Sequence, residues 1–217
     1  PEVHDSDGLL INTGAGEWLW RPLVNRGRLS ISSFFDLSPR GFGLLQRDRD
    51  FSNYQDLDAR YDKRASYWIA PVGDWGRGHV ELVEIPSDSE TNDNIVAYWV
   101  PETKLRAGET REFSYRLLSM IDGEELHPGA KVTSSRIGSS RRPGVDDEGK
   151  NGGRLFIVDF VGGDLPFLKD DQPLEGVVSV SSGRVANVTA HRNPALKGWR
   201  LFFDFFPEGS QSAELRG

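Results

Sequence analysis

The sequence predicts an all-β protein, in which the C-terminal part of a large β-sandwich domain is followed by an immunoglobulin-like β-sandwich. Apolar runs are short and mostly alternate with polar residues, and clusters of Gly, Pro and Asp separate them. The 217 residues include 24 Gly and 12 Pro, which is typical of a loop-rich β protein. The segment 51–64 lacks clean alternation, and there we expect a helical turn or two.

The first predicted domain spans residues 1–100. Five of the six Trp residues lie here, and strands with so many aromatic residues predict a larger sheet system of which this is the C-terminal portion. The chain also opens at Pro1 without an initiator Met or a signal-peptide pattern, so we interpret it as a piece of a longer protein. The predicted strands of this domain are 18–23, 29–35, 41–46, 79–85 and 94–100.

A linker is predicted at residues 101–109, where Pro101 and Gly108 bracket polar residues. The remaining residues, 110–217, carry short alternating runs at the spacing of an immunoglobulin-like sandwich. Within them, the segment 138–153 is a long loop rich in Ser, Arg, Asp and Gly, for which both disorder and a functional role stay open. The predicted strands of this domain are 112–120, 130–137, 154–161, 176–181, 184–192 and 199–206.

Composition and charge argue against several classes of function. The net charge of −7 argues against nucleic acid as a partner, because phosphate binding needs a basic face. No apolar run approaches the roughly 20 residues of a membrane span. The chain has no Cys, which excludes a thiol nucleophile and cysteine-ligated zinc, and its four His are scattered without metal-ligand spacing. We therefore expect no metal and no cofactor.

The segment 47–64 and the residues after it are dense in acids, cations and aromatic side chains. A solvated helix face would carry Glu and Lys at i,i+4 spacing with few large aromatic residues. Here the aromatic residues are interleaved with hydrogen-bonding groups, and that mixture suits a cleft for a polar, ring-shaped ligand such as a sugar. The aromatic residues in question are Phe51, Tyr54, Tyr61, Tyr67, Trp68 and Trp75.

Acidic clusters supply the candidate chemistry. The run around Asp5 and Asp7 is consistent with an Asx-turn, with a calcium loop or with catalytic carboxylates, although its acid spacing does not match an EF-hand. Further acids lie at Asp48 and Asp50 and in the segment 87–94. Two such carboxylates can hydrolyse a glycosidic bond, because one protonates the leaving oxygen while the other activates a water molecule.

Several motifs together resemble the periplasmic glucan biosynthesis proteins of the G and D type from Gram-negative bacteria. The similarity is dense over residues 1–120 and looser beyond. It implies a large N-terminal β-sandwich joined to a smaller immunoglobulin-like domain, which agrees with the division predicted above. The motifs are Pro1-Glu2-Val3-His4-Asp5-Ser6-Asp7-Gly8-Leu9, Trp20-Arg21-Pro22-Leu23, Ser32-Ser33-Phe34, Gly41-Phe42-Gly43-Leu44-Leu45-Gln46-Arg47-Asp48-Arg49, Tyr54-Gln55-Asp56, Gly73-Asp74-Trp75-Gly76, Glu84-Ile85-Pro86 and Glu90-Thr91-Asn92-Asp93-Asn94.

The resemblance also implies roles for individual residues. Asp93 would be the general acid, and Asp5 would be the general base acting through water, with the choice of Asp5 over Asp7 left open. Tyr61 and Arg64 would line the proton path and bind sugar. The resemblance places Thr91 beside the acid. The remaining candidate substrate-binding residues are Asp7, Arg47, Trp68 and Trp75.

Two hypotheses for function follow from the resemblance. The first is an inverting endo-β-1,2-glucanase that acts on osmoregulated periplasmic glucan, and the second is a non-catalytic glucan-binding or scaffold protein that assists a membrane glucan glucosyltransferase. Both imply β-1,2-glucan as the ligand and a periplasmic location, with a signal peptide upstream. The D type further implies a homodimer in which a loop of the second domain completes the partner's cleft. That loop would be 138–153 here, and its lack of aromatic residues favours a G-type or weakly active protein.

Overall fold

The computed structural model describes residues 2–25, 27–89, 92–121, 126–140, 152–169, 172, 174–209 and 213–217. Its regular structure is nearly all antiparallel β-sheet, which confirms the predicted all-β class. The chain divides into two compact units, Pro1–Leu126 and His127–Gly217, and each is described by itself.

The first unit contains two sheets. The larger has the order β2-β1-β4-β5-β8, and the smaller has the order β3-β6-β7. The strands of the larger sheet are β1 (Gly8–Asn12), β2 (Trp18–Pro22), β4 (Gly41–Leu45), β5 (Ser66–Val72) and β8 (Ser114–Met120). Those of the smaller sheet are β3 (Ser30–Leu37), β6 (Arg77–Glu84) and β7 (Ile95–Pro101).

These two sheets pack face to face around one apolar core. Leu9, Ile11 and Phe42 from the larger sheet meet Val80 and Leu82 from the smaller sheet, and each of these side chains is at most 3% exposed. The alternation of inward and outward residues along β6 explains this packing, because every second side chain faces the larger sheet. The first unit is therefore a β-sandwich.

The opposite face of the larger sheet is also apolar. Leu10, Leu45 and Trp68 form a second buried cluster there. Gly8 and Gly41 make this packing feasible, since an added Cβ at either position would overlap the indole of Trp20 or Trp68, respectively. Because both faces of the sheet are packed with apolar side chains, the sequence of strand β1 is a continuous apolar run and does not alternate between apolar and polar residues.

Two short helical turns lie between β4 and β5, as the irregular pattern of the segment 51–64 predicted. They are α1 (Phe51–Tyr54) and a 3₁₀ turn at Tyr61–Lys63. Asp50 caps the first of them, because its carboxylate accepts a hydrogen bond from the backbone amide of Ser52 at 2.9 Å.

The second unit is built on a four-stranded sheet with the order β12-β13-β10-β9. Leu201, Phe203 and Phe205 are buried on one face of its central strand, and Phe156 stacks on Phe203 with the ring centroids 4.9 Å apart. The strands are β9 (Lys131–Ser139), β10 (Arg154–Val161), β12 (Arg184–Asn193) and β13 (Gly198–Phe206), and a two-stranded sheet pairs β11 (Ser179–Val180) with β14 (Leu215–Arg216).

The strand Ser114–Met120 belongs to the first unit. Its place in the sequence predicted that it would lie in a second domain at 110–217, after a linker at 101–109. In the structure it pairs with β5 over seven positions, from Ser66 opposite Met120 to Val72 opposite Ser114, and the compact units divide after Leu126. An alternating run predicts a strand but does not say which sheet edge it joins.

Candidate functional site

One end of the first sandwich gathers the loops that carry most of the predicted site residues. β1 and β4 are antiparallel with Gly8 opposite Leu45, so the segment before β1 and the segment after β4 leave the sheet at the same end. The segment before β1 contains Asp5 and Asp7. The segment after β4, 46–65, contains Arg47, Tyr61 and Arg64.

A buried ion pair brings the smaller sheet to this same end. Glu84, the last residue of β6, is 2% exposed, and its carboxylate lies 2.9 Å from Nη2 of Arg21 on β2. The other oxygen of Glu84 accepts a hydrogen bond from the backbone amide of Val24 at 3.0 Å. The ends of β2 and β6 are therefore held together.

Backbone hydrogen bonds extend this link to the loops of both candidate acids. The amide of Leu23 donates to the carbonyl of Asp7 at 2.9 Å, and the amide of Ile85 donates to the carbonyl of Asn94 at 2.8 Å. Asp5 lies two residues before Asp7, and Asp93 directly precedes Asn94. The segments that carry Asp5 and Asp93 thus occupy one end of the sandwich.

Asp5 and Asp7 occupy very different surroundings. The side chain of Asp7 is 22% exposed, and its Oδ2 accepts hydrogen bonds from the backbone amides of Arg47 and Asp48. The side chain of Asp5 is 60% exposed, and its Oδ1 lies 3.7 Å from Nε of Arg64. Asp7 therefore fixes the chain where it leaves β4, whereas Asp5 remains accessible to solvent and ligand.

Arg47 packs its guanidinium flat against an aromatic ring. Its Cζ lies 3.5 Å from the ring centroid of Trp20. Burial lowers the pKa of Arg47 to about 10, and the nearby charge of Asp7 partly offsets this effect. The guanidinium thus covers the Trp20 ring and carries a cation close to Asp7.

Tyr61 lies in a buried polar and aromatic cluster beside Arg64. Its side chain is 5% exposed, its ring lies 6.0 Å from that of Tyr54, and the guanidinium of Arg64 lies 5.3 Å from its centroid. The amide of Gln46 donates to the hydroxyl of Tyr54 at 2.6 Å and contacts the carbonyl of Tyr61 at 3.4 Å. Burial, together with the nearby charge of Asp7, raises the pKa of Tyr54.

Arg49 is a residue of this region to which sequence reasoning gave no role. Its guanidinium donates to the backbone carbonyls of Asp62 at 3.1 Å, Arg64 at 2.5 Å and Ile121 at 2.5 Å. The sequence analysis noted the acids near Arg49, but backbone carbonyls as partners leave no trace in a sequence. Arg49 holds the chain that presents Tyr61 and Arg64.

The two tryptophans predicted to bind substrate lie apart from this end. Trp68 is 4% exposed within the second apolar cluster and stacks on Trp18 at 5.9 Å. Trp75 lies in the turn between β5 and β6, at the opposite end of the sandwich, where its Nε1 donates to the carbonyl of Ser114 at 3.1 Å and its ring lies 5.2 Å from Phe113. Their positions favour packing roles.

Asp93 is solvent-exposed in the segment that precedes β7. Thr91, predicted to lie beside it, falls outside the described residues, as do residues 141–151 of the loop 138–153. Among the residues that the structure does describe, no three His, Asp or Glu side chains are grouped so as to hold a metal ion. No helix in the same part of the chain has the length and apolar character needed to cross a membrane.

Comparison with known proteins identifies the family. The family model described as "Periplasmic glucan biosynthesis protein, MdoG" matches residues 1–217. The glucans biosynthesis protein G of Pseudomonas paraeruginosa is 50% identical over 206 residues, which cover 93% of this chain and 39% of that protein. The protein of the same name from Shewanella baltica is 48% identical over 217 residues, which cover 100% of this chain and 38% of that protein. The chain thus spans about two fifths of the length of these relatives, and it belongs to the periplasmic glucan biosynthesis (MdoG) family.

Proposed function

We propose that the full-length protein acts in the periplasm on β-1,2-linked glucan, as an inverting endo-glucanase with Asp93 as general acid and Asp5 as general base. The observation that carries this proposal is the shared position of the two acid-bearing segments at one end of the sandwich, with Arg64 next to both Asp5 and Tyr61. The names of the relatives support glucan as the class of ligand.

In this reaction each candidate residue has a defined step. Asp93 gives its proton to the glycosidic oxygen as the bond from that oxygen to the anomeric carbon breaks. A water molecule attacks the same carbon from the opposite face, and its proton passes to Asp5, so the products are two shorter glucans with inverted configuration at the new end. The 60% exposure of the Asp5 side chain leaves room for the water, and Arg64 supplies hydrogen-bond donors for sugar hydroxyls.

A second candidate function is a glucan-binding protein that assists a membrane glucan glucosyltransferase without cutting the glucan. One observation favours it: Asp93 is exposed, whereas a general acid is normally held in partly desolvated surroundings that keep it protonated. This function uses the same surface for binding and needs no acid at position 93. A homodimer is compatible with either function.

The two functions are separated by incubating the full-length protein with linear β-1,2-glucan and analysing the products by chromatography. The wild type is compared with Asp93→Asn, and Asp88→Asn is the matched control because Asp88 is another exposed acid of the same segment. Short oligosaccharides from the wild type and Asp88→Asn, but not from Asp93→Asn, support the hydrolase. Bound glucan without products from any variant supports the binding protein, and the absence of glucan binding overturns both.

A further inference from the structure

The second unit contains a recess that the proposed reaction does not use. It lies on the face of the four-stranded sheet that is opposite the apolar core, beside Phe202 and Asp204 of β13. Its volume is about 450 Å³. That volume lies within the roughly 300–1,000 Å³ that is typical of ligand sites. The side chains that matter for its chemistry are Ser140, Asn187, Thr189, His191, Phe202 and Asp204.

A buried carboxylate forms part of the wall. Asp204 is 2% exposed although it lies on the outer face of the sheet, and the amide of Asn187 donates to its Oδ2 at 2.8 Å. Asn187 lies in a bulge of β12, where the register with β13 shifts between Ala186 and Thr189, and its φ is 52°. A left-handed backbone at a residue other than Gly is uncommon, and such positions cluster at functional sites. The bulge aims the Asn187 side chain at Asp204.

A second, independent feature is the hydroxyl of Ser140. Ser140 is 6% exposed and lines the recess, and within the described part of the chain its Oγ has no hydrogen-bond partner. Buried hydroxyls are nearly always paired, so this unpaired hydroxyl in the wall sets the recess apart from an ordinary sheet surface.

The lining combines an aromatic ring with hydrogen-bonding groups of both kinds. Phe202 is opposite Thr189 in the β12–β13 register, and the ring of His191 meets that of Phe202 edge-on at 5.9 Å. The ring of Phe202 offers a surface for the C–H face of a pyranose, while Thr189 and His191 donate to or accept from its hydroxyls. The carboxylate of Asp204 adds hydrogen-bond acceptors to this wall.

We propose that this recess is a saccharide-binding site, carried by the second unit. Its ligand is a neutral sugar chain, and the choice of β-1,2-glucan as that chain rests on the proposed function. Such a site gives the protein a second point of attachment to a polymer, which raises the effective concentration of glucan at the first.

Hydrogen–deuterium exchange of the full-length protein, carrying Asp93→Asn to prevent cleavage, tests this site with linear β-1,2-glucan as the probe. We expect glucan to slow exchange in peptides that cover 187–191 and 200–206. Thr189→Val removes one hydroxyl at nearly constant volume. The glucan concentration needed for half-maximal protection should then rise about tenfold, since a lost hydrogen bond costs about that factor in affinity. Thr133→Val is the matched control, because Thr133 is an exposed threonine that does not line the recess.

The outcomes separate this inference from the proposed function. Protection of the segment 46–64 without any change at 187–191 overturns the saccharide site and leaves the proposed function standing. Protection at 187–191 alone supports the saccharide site and counts against glucan binding at Asp5. An equal loss of protection in Thr189→Val and Thr133→Val also overturns the inference, since it would reflect a general change in stability.

Discussion

Nε of Arg64 lies 3.7 Å from Oδ1 of Asp5, and both side chains are close to half exposed or more. An ion pair this exposed contributes only about 0–1 kcal/mol to stability, so it can open without harm to the fold. The pair therefore places a cation and a carboxylate at the surface, where a sugar hydroxyl or a water molecule can enter between them. This arrangement distinguishes Asp5 from Asp7 and leads to the first prediction.

Asp5→Asn and Asp7→Asn should have opposite effects. Asp5→Asn should abolish any glucan hydrolysis by the full-length protein and change the free energy of unfolding by less than about 0.5 kcal/mol, as is usual for exposed positions. Asp7→Asn should leave hydrolysis measurable and lower the free energy of unfolding by about 1 kcal/mol, because it weakens the charge-assisted hydrogen bonds to the amides of Arg47 and Asp48. Urea denaturation and product analysis measure both effects. If cleavage survives Asp5→Asn but not Asp7→Asn, then Asp7 is the general base and Asp5 is not.

Arg49→Met should loosen the chain that presents Tyr61 and Arg64. It removes the donors that reach the carbonyls of Asp62, Arg64 and Ile121, so we expect the free energy of unfolding to fall by about 2 kcal/mol and glucan affinity to fall with it. Arg77→Met is the matched control, because Arg77 is 72% exposed and its ion pair with Glu102 lies at the surface. Equal losses in the two variants would show that Arg49 has no special positioning role.

Gly41→Ala should destabilise the first sandwich. The added methyl group would overlap the indole of Trp68 in a closely packed cluster, and overpacking of this kind costs about 1–3 kcal/mol. Gly27→Ala serves as the comparison, since nothing lies within 4 Å of the position that its Cβ would take. The midpoint of urea denaturation should therefore fall for Gly41→Ala alone, and an unchanged midpoint would mean that Trp68 can move aside freely.

The second unit should lose stability in acid through Asp159. This carboxylate is 0% exposed, and it accepts two hydrogen bonds from Arg200, at 2.6 and 2.9 Å. These bonds, together with a further one from Arg136, lower the pKa of Asp159 from 3.8 to about 2. Between these two values the unfolded chain binds more protons than the folded chain, so the contribution of Asp159 is present above pH 3.8 and is lost as the pH falls towards 2.

The test compares the pH dependence of unfolding in the wild type and in Asp159→Asn from pH 5 to pH 2. The variant cannot titrate at this position, so its free energy of unfolding should fall less steeply over that range, whatever its absolute stability. Arg200→Lys provides a second readout, because a lysine keeps the charge but cannot form both hydrogen bonds, and it should move the pKa of Asp159 back towards 3.8. Identical slopes in the wild type and Asp159→Asn would contradict the assignment.

Sequence reasoning was most accurate where one face of a strand is buried and the other is not. The predicted run 79–85 overlaps β6, Arg77–Glu84, over six residues, because its alternation reports the single apolar core that it faces. β1 and β5 were absent from the predicted strands for the converse reason. β1 is buried on both faces and β5 carries a Pro, so neither alternates cleanly.

The motifs indicated which charged residues lie close together, but not how exposed the aromatic residues are. Asp5, Arg64 and Tyr61 were named from motifs, and in the structure Arg64 lies next to both Asp5 and Tyr61. Trp68 and Trp75 were expected to face a sugar, yet their rings pack against Trp18 and Phe113. A sequence shows that an aromatic residue is present, whereas its exposure depends on strands that are distant in the chain.

The ion pair between Arg21 and Glu84 constrains which substitutions this protein can accept during evolution. Glu84 joins the ends of β2 and β6, and the segments of Asp5 and Asp93 are each hydrogen-bonded to residues beside this ion pair. We therefore expect a change in one of these segments to affect the other. A substitution at Arg21 or Glu84 should therefore alter both acid-bearing segments at once.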